Sequence, residues 1–237
     1  MFLQNYNIFM GKDVYINPLS KCSFLTTIFN NGSLLGSASS FCYLYNGKKY
    51  LITNYHVAFG KNPFNGNAIS STGALPDELV FEYYDSNYQL QRKTIDLDEK
   101  NIGKSMTLFE GKSIFCDVVA IKLDDSIDCS CINDCEYVMD DVRIDVGIEV
   151  FVLGYPIGIE VLKTPIWKRG TIASEPMINA NKLPVIFIDS GTKQGMSGSP
   201  TIIYSNIGTY RTINGGVAVN PTKIYRFLDC IFRKRYG

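Results

Sequence analysis

Apolar residues in this chain come in short runs, and almost every run is closed by glycine, asparagine, proline or aspartate. Strand-length stretches between turn-forming residues, with few segments of helical periodicity, point to a fold built mainly of β-strands. The candidate strands are Ser23–Phe29, Ser39–Tyr45, Lys49–Asn54, Glu78–Tyr84, Ser113–Leu123, Glu149–Leu153, Lys168–Ala173, Val185–Ile188, Thr201–Ser205 and Ile213–Val219. With 237 residues, 46% of them hydrophobic and 19% charged, the chain can bury a sizeable core, and all-β folds of this length are commonly one domain. No internal repeat or low-complexity segment breaks the pattern.

Basic and acidic residues balance at 23 each, so nothing global directs the chain to nucleic acid or to an anionic membrane. The opening MFLQNYNIFMGKD lacks the basic-then-apolar order of a secretory signal, and no apolar run approaches the roughly 18 residues of a membrane helix. A cytoplasmic location is the expectation. Seven cysteines, an odd number, fit reduced thiols. Three of them, Cys129, Cys131 and Cys135, stand close enough in sequence to supply part of a zinc site, but their spacing matches no standard zinc pattern. An exposed linker is the expected role of that stretch, with no metal and no cofactor.

The chemistry concentrates in three strings. The only histidine, His56, follows the apolar run Leu51-Ile52-Thr53-Asn54-Tyr55. Asp117 opens the strand-like Val118-Val119-Ala120-Ile121-Lys122, and Ser197 lies inside Gly195-Met196-Ser197-Gly198-Ser199-Pro200. A serine hydroxyl is a poor nucleophile near neutrality, so an imidazole must take its proton while a carboxylate fixes the ring's tautomer. Glycines beside the serine let backbone N–H groups turn toward a developing oxyanion, and Gly195 and Ser197 are the natural donors. Singly, each string has an ordinary structural reading: a packed histidine, a strand cap, a tight turn. Together they propose a Ser/His/Asp hydrolase whose activity rises as the imidazole loses its proton.

At these residues the chain resembles the trypsin-like serine peptidases, in a short bacterial form similar to the protease domain of the high-temperature-requirement proteases and less closely to the glutamate-specific staphylococcal enzymes. Gly36-Ser37-Ala38-Ser39-Ser40-Phe41 followed by the run into His56 is similar to that family's approach to its histidine. Val150 to Gly158 resembles the turn that opens its second barrel, Arg169 to Ala173 the strand after it, and Gly216 to Val219 the strand lining its cleft. The order His, Asp, Ser also fits, since α/β-hydrolases and subtilisins use other orders.

The resemblance implies an all-β fold of two six-stranded antiparallel β-barrels of the chymotrypsin type with a C-terminal helix. Residues 1–125 would be the first barrel, 126–141 an interbarrel linker, 142–220 the second barrel and 221–237 the helix, with the site in the crevice between barrels. It implies a serine endopeptidase, a polypeptide substrate, no nucleic acid and no membrane, and a possible regulatory partner protein. Gly191, Thr192, Lys193 and Gln194 would form one wall of the primary pocket and Ala218, Val219 and Asn220 another. Gly191 stands where arginine and lysine selectivity would need an aspartate, so a small or aliphatic side chain before the scissile bond is expected, although Lys193 would attract an acidic one. Met196 replaces the aspartate that pairs with a newly released amine in digestive members, which removes that zymogen switch. Val57 stands where secreted animal members carry a disulfide cysteine, leaving Cys42 without its expected partner. A non-catalytic binding module on a protease scaffold is the rival reading.

Overall fold

The computed structural model describes residues 15–97, 117–135, 139–158, 163–178, 185–191, 193–206, 208–219 and 223–230. Six strands form the larger sheet: β1 (Ser23–Asn30), β2 (Ser33–Tyr45), β3 (Lys48–Thr53), β4 (Glu78–Tyr84), β5 (Leu90–Asp96) and β6 (Val119–Lys122), all antiparallel, in the spatial order β5-β4-β1-β2-β3-β6. Two Asn-Gly pairs build its β1–β2 and β2–β3 hairpins. Asn31 and Gly32, then Asn46 and Gly47, all have positive φ, the requirement of turns whose twist matches that of the flanking strands.

A second sheet contains β7 (Glu149–Gly154), β8 (Ile166–Thr171) and β9 (Pro200–Ser205). After a separate small hairpin of β10 (Thr209–Arg211) and β11 (Val217–Val219), the chain returns to it as β12 (Ile224–Cys230), giving the order β12-β9-β7-β8. The expectation of two six-stranded barrels is therefore corrected. The first sheet is a half-barrel that stays open, with β5 and β6 as its edges, and the second has four strands. Edge strand β5 carries mostly exposed polar residues, and β6 is only four residues long, so neither offers the apolar, full-length pairing surface that closure needs.

The expected C-terminal helix is also corrected: Ile224–Cys230 is a strand, while 221–222 and 231–237 lie outside the described residues. Ile224 and Leu228 pack into one apolar cluster while Tyr225 and Phe227 pack into another. Apolar residues at 224, 225, 227, 228, 231 and 232, broken by Arg226 and Asp229, have helical spacing in the sequence, and a strand covered on both faces carries no period-two alternation to contradict it. Among the described residues, helix is limited to α1 (Tyr55–Phe59) and two 3₁₀ turns, Pro18–Cys22 and Pro156–Gly158. None of these is long or apolar enough to cross a membrane. Val185–Ile188, expected as a strand, makes one isolated bridge, Ile172 to Ile188.

One core cluster fills the half-barrel around Phe24, Leu51, Leu79, Phe81 and Ile121, with Phe24 and Phe81 stacked at 5.6 Å between ring centroids. A second is shared by both sheets. Phe41 from β2 meets Leu153 from β7, Ile202 from β9 and Tyr225 from β12, together with Leu19, Cys22 and Ile132. Burying each such large side chain contributes about 1.5–3 kcal/mol, so this shared cluster fixes one sheet on the other. Of the expected linker 126–141, part of the segment 127–135 packs into both clusters instead of lying exposed, while 136–138 lie outside the described residues. Ile127, Cys129, Cys131 and Ile132 are all buried.

Candidate active site

The register of β3 on β6 sets the first two side chains. Thr53 pairs with Val119, so the residues leaving β3 lie beside those entering β6, and His56 comes next to Asp117. His56 sits in α1, a single turn whose exit is fixed by Gly60 in the left-handed conformation, its amide donating to the His56 carbonyl at 2.9 Å. Asp117 Oδ1 accepts the His56 backbone amide at 2.9 Å, and Oδ2 lies 2.6 Å from His56 Nδ1. A carboxylate only accepts, so Nδ1 carries the ring proton and Nε2 is left as an acceptor. That nitrogen is 3.1 Å from Ser197 Oγ. The imidazole is 19% exposed and the carboxylate 3%, so the serine end of the relay opens to solvent while the acid end is sealed.

Ser197 arrives from the loop that precedes β9. Ser39 of β2 holds this loop at two points, its amide donating to the Ser197 carbonyl at 2.8 Å and its hydroxyl to the Gly195 carbonyl at 2.9 Å. The same hydroxyl accepts the Tyr155 amide at 3.1 Å, and Thr53 Oγ1 donates to the Ser39 carbonyl at 2.9 Å. Gly195 and Gly198 have φ of +91° and +81°, and a side chain at Gly198 would run into the Ser39 carbonyl. Only glycine fits there.

The Gln194 carbonyl accepts the Ile157 amide at 2.6 Å. Across a trans peptide the C=O and the following N–H point in opposite directions, so this bond turns the Gly195 N–H the other way. Among the described residues neither that N–H nor the Ser197 N–H has an acceptor, whereas the intervening Met196 N–H is bound to the Lys193 carbonyl at 3.1 Å. Met196 itself is buried against Val152 and Ile188, an apolar seat in place of any ion pair.

Asn54 and Ser39 are the residues that sequence reasoning missed. Asn54 occupies the N-cap of α1, yet its side chain makes no cap bond. Its fully buried side chain donates from Nδ2 to the Asp117 carbonyl at 2.6 Å and accepts the Gly198 amide on Oδ1 at 2.7 Å. Asparagine directly before a one-turn helix is a visible capping signal. Its diversion to two distant loops is not.

The pocket expectations fare unevenly. Lys193 and Gln194 are exposed on the Ser197 loop, Gly191 is exposed near its start, and Thr192 and Asn220 lie outside the described residues. Ala218 and Val219 sit on the small hairpin, paired with Tyr210 and Thr209. A side chain built at Gly191 would meet Lys168 Nζ at 3.7 Å, so a β8 ammonium lies beside that wall. Among the described residues no group of three or more His, Cys, Asp or Glu is placed to hold a metal.

No family model and no curated protein matches the chain. It is similar to the solved structure of a serine endoprotease from Yersinia pestis, with 13% identity and a TM-score of 0.47, covering 87% of this chain but only 63% of that one. It is also similar to a thermostable serine protease from an extremophilic microorganism (14% identity, 88% of this chain, 91% of that one, TM-score 0.46) and to an inactive serine-to-alanine mutant of a protein from M. tuberculosis (16% identity, 89%, 82%, TM-score 0.39). The chain thus spans less than two thirds of the Yersinia protein. The functional reading rests on its own side chains.

Proposed function

We propose that this chain is a serine-dependent hydrolase of the chymotrypsin-like superfamily that cleaves polypeptides through an acyl-enzyme. The observation that carries the reading is the continuous relay from Asp117 through His56 to Ser197, with contacts of 2.6 and 3.1 Å. In it Ser197 Oγ attacks the scissile carbonyl as its proton passes to His56 Nε2, and the imidazolium is stabilised by Asp117 and then protonates the leaving amine. The Gly195 and Ser197 N–H groups serve as the oxyanion hole, an arrangement whose donors are worth about 2.7–4 kcal/mol each in enzymes of this chemistry. Asn54 and Ser39 act as positioning residues, because each ties the Ser197 loop to the sheet that carries His56.

For specificity we take the uncharged wall at Gly191 to favour a small or aliphatic side chain before the cut. A second reading has its own support: Lys168 Nζ next to Gly191 supplies a positive charge that would draw an acidic side chain there. A peptide library varied at that position decides between them, and Lys168→Met separates the cases by abolishing an acidic preference only.

The test of the reading itself is labelling with a fluorophosphonate probe. Stable labelling of the wild-type chain, lost in Ser197→Ala, is the expected result. Absence of labelling under conditions where a known serine protease reacts would favour a binding module instead.

A further inference from the structure

The cysteines with described side chains, Cys22, Cys42, Cys129, Cys131 and Cys135, lie outside this machinery, and four of them converge in pairs. Cys22 Sγ is 3.2 Å from Cys135 Sγ, and Cys42 Sγ is 3.1 Å from Cys131 Sγ, although the partners are 113 and 89 residues apart in sequence. Cys42 and Cys131 face each other in a parallel β-bridge, secured by the Ile132 amide donating to the Cys42 carbonyl at 2.8 Å. Neighbouring strands lie about 4.7–4.9 Å apart, inside the roughly 4.4–6.8 Å Cα window of a disulfide. Cys22 closes the turn Pro18–Cys22, and the stretch carrying Cys135 is held by the Tyr225 hydroxyl, which lies 3.1 and 3.2 Å from the carbonyls of Ile132 and Cys135. Each thiol is therefore brought to its partner by backbone that other bonds already fix.

We propose that Cys22–Cys135 and Cys42–Cys131 are two disulfide-forming sites that a small-molecule disulfide oxidises, cross-linking the 131–135 segment to the turn before β1 and to β2. The Cys135 thiolate attacks one sulfur of the oxidant and expels a thiolate. The Cys22 sulfur then attacks the mixed disulfide at Cys135, giving up its proton and expelling the second thiolate. Each protein disulfide costs two hydrogens and reduces one oxidant molecule to two thiols. Cys135 is the entry point because it is the half-buried member of its pair, and the Cys22 thiol beside it holds its own thiol below the usual range. Cys42 and Cys131 are both buried, so that pair oxidises more slowly or during folding. The sequence argument for reduced thiols rested on an odd count and a missing partner for Cys42. Cys131 is that partner.

The whole chain is incubated with glutathione and excess glutathione disulfide, alkylated and weighed. Three alkyl groups are expected on the oxidised chain against seven on the reduced one, two fewer for each bond formed. Digestion at aromatic and aspartate residues separates Cys22 from Cys42 and Cys131 from Cys135, and should recover the two named links. Oxidation should raise Tm by about 5–10 °C, since closing loops this long constrains the unfolded chain. Cys135→Ser and Cys131→Ser should each remove one link and keep the other; if either fails to fold, the wild-type map still decides. Alkylation of all seven thiols after oxidation, a Cys42–Cys129 link in place of Cys42–Cys131, or stoichiometric zinc that shields these thiols would overturn the proposal. None of these readouts depends on hydrolase activity.

Discussion

The Asn54 side chain accepts the Gly198 amide at 2.7 Å across 144 residues of sequence, and so joins the histidine-bearing turn to the serine loop. Its other end donates to the Asp117 carbonyl, which puts one buried amide in contact with all three strings that carry the proposed chemistry.

Asn54→Ala strands a buried N–H at Gly198 and a buried C=O at Asp117. Each unpaired group costs about 1–3 kcal/mol, and small misplacements of reacting groups can cost about 100-fold in rate. The expected outcome is a lower Tm together with a kcat loss of roughly 10–100-fold and little change in KM. Asn54→Asp keeps the acceptor for Gly198 and loses the donor to Asp117, so it should recover part of kcat. Steady-state kinetics on a peptide substrate checks both, and equal kcat in all three proteins would rule out positioning by Asn54.

Asp117→Asn should drop kcat by about 10⁴-fold with the fold intact, because an amide facing Nδ1 no longer enforces the tautomer that leaves Nε2 free. Combining it with Ser197→Ala should cost no more than Ser197→Ala alone, since residues that act as one unit are not additive. Single-turnover assays of the two single variants and the double variant test this.

The catalytic candidates were legible because the chemistry restricts residue type: one histidine, one serine between glycines, one aspartate at the start of an apolar strand. Their convergence was not, since it follows from the register of Thr53 on Val119 and from Ser39 gripping the Ser197 loop. Strand β4 was readable to its ends from its apolar composition. Strand β5 was passed over because Leu90–Asp96 is an edge strand with almost no buried side chain to mark it. Strand β12 reads as a helix in the sequence because both its faces are covered, which leaves its apolar residues at helical spacing. Barrel closure has no local signature at all, being a matter of how strand edges meet.

Ser199→Ala should stabilise the protein. The Ser199 hydroxyl is fully buried, is without a hydrogen-bond partner among the described residues, and fills the space that a side chain at Gly154 would need. Removing an unsatisfied buried hydroxyl relieves a desolvation cost of about 1–3 kcal/mol, reduced by the small void left behind. A rise in the urea midpoint with unchanged m-value is the expected reading, and a fall would mean that the hydroxyl has a partner after all.

Ile157 is a β-branched residue at φ 56°, a conformation that costs about 1–2 kcal/mol, yet its side chain is 65% exposed and recovers little by packing. Its amide nevertheless supplies the bond to Gln194 that turns the Gly195 N–H. Ile157→Gly should keep that bond and raise stability by up to about 1 kcal/mol, with fluorophosphonate labelling retained. A loss of labelling in a folded Ile157→Gly protein would show that the side chain, not only the backbone, holds the loop.

In the reduced protein Cys135 should alkylate at lower pH than Cys22. The Cys22 sulfur lies 3.2 Å away and favours the Cys135 thiolate, which lowers its pKa, while the same contact and burial raise that of Cys22. A group whose anion is stabilised ionises earlier as pH rises, so iodoacetamide modification of Cys135 should reach its midpoint below the usual thiol range, with Cys22 lagging behind. Cys22→Ala removes that sulfur contact and should move the Cys135 midpoint upward. Site-resolved mass spectrometry across a pH series reads both shifts, and an unchanged midpoint in Cys22→Ala would show that the two sulfurs do not touch in solution.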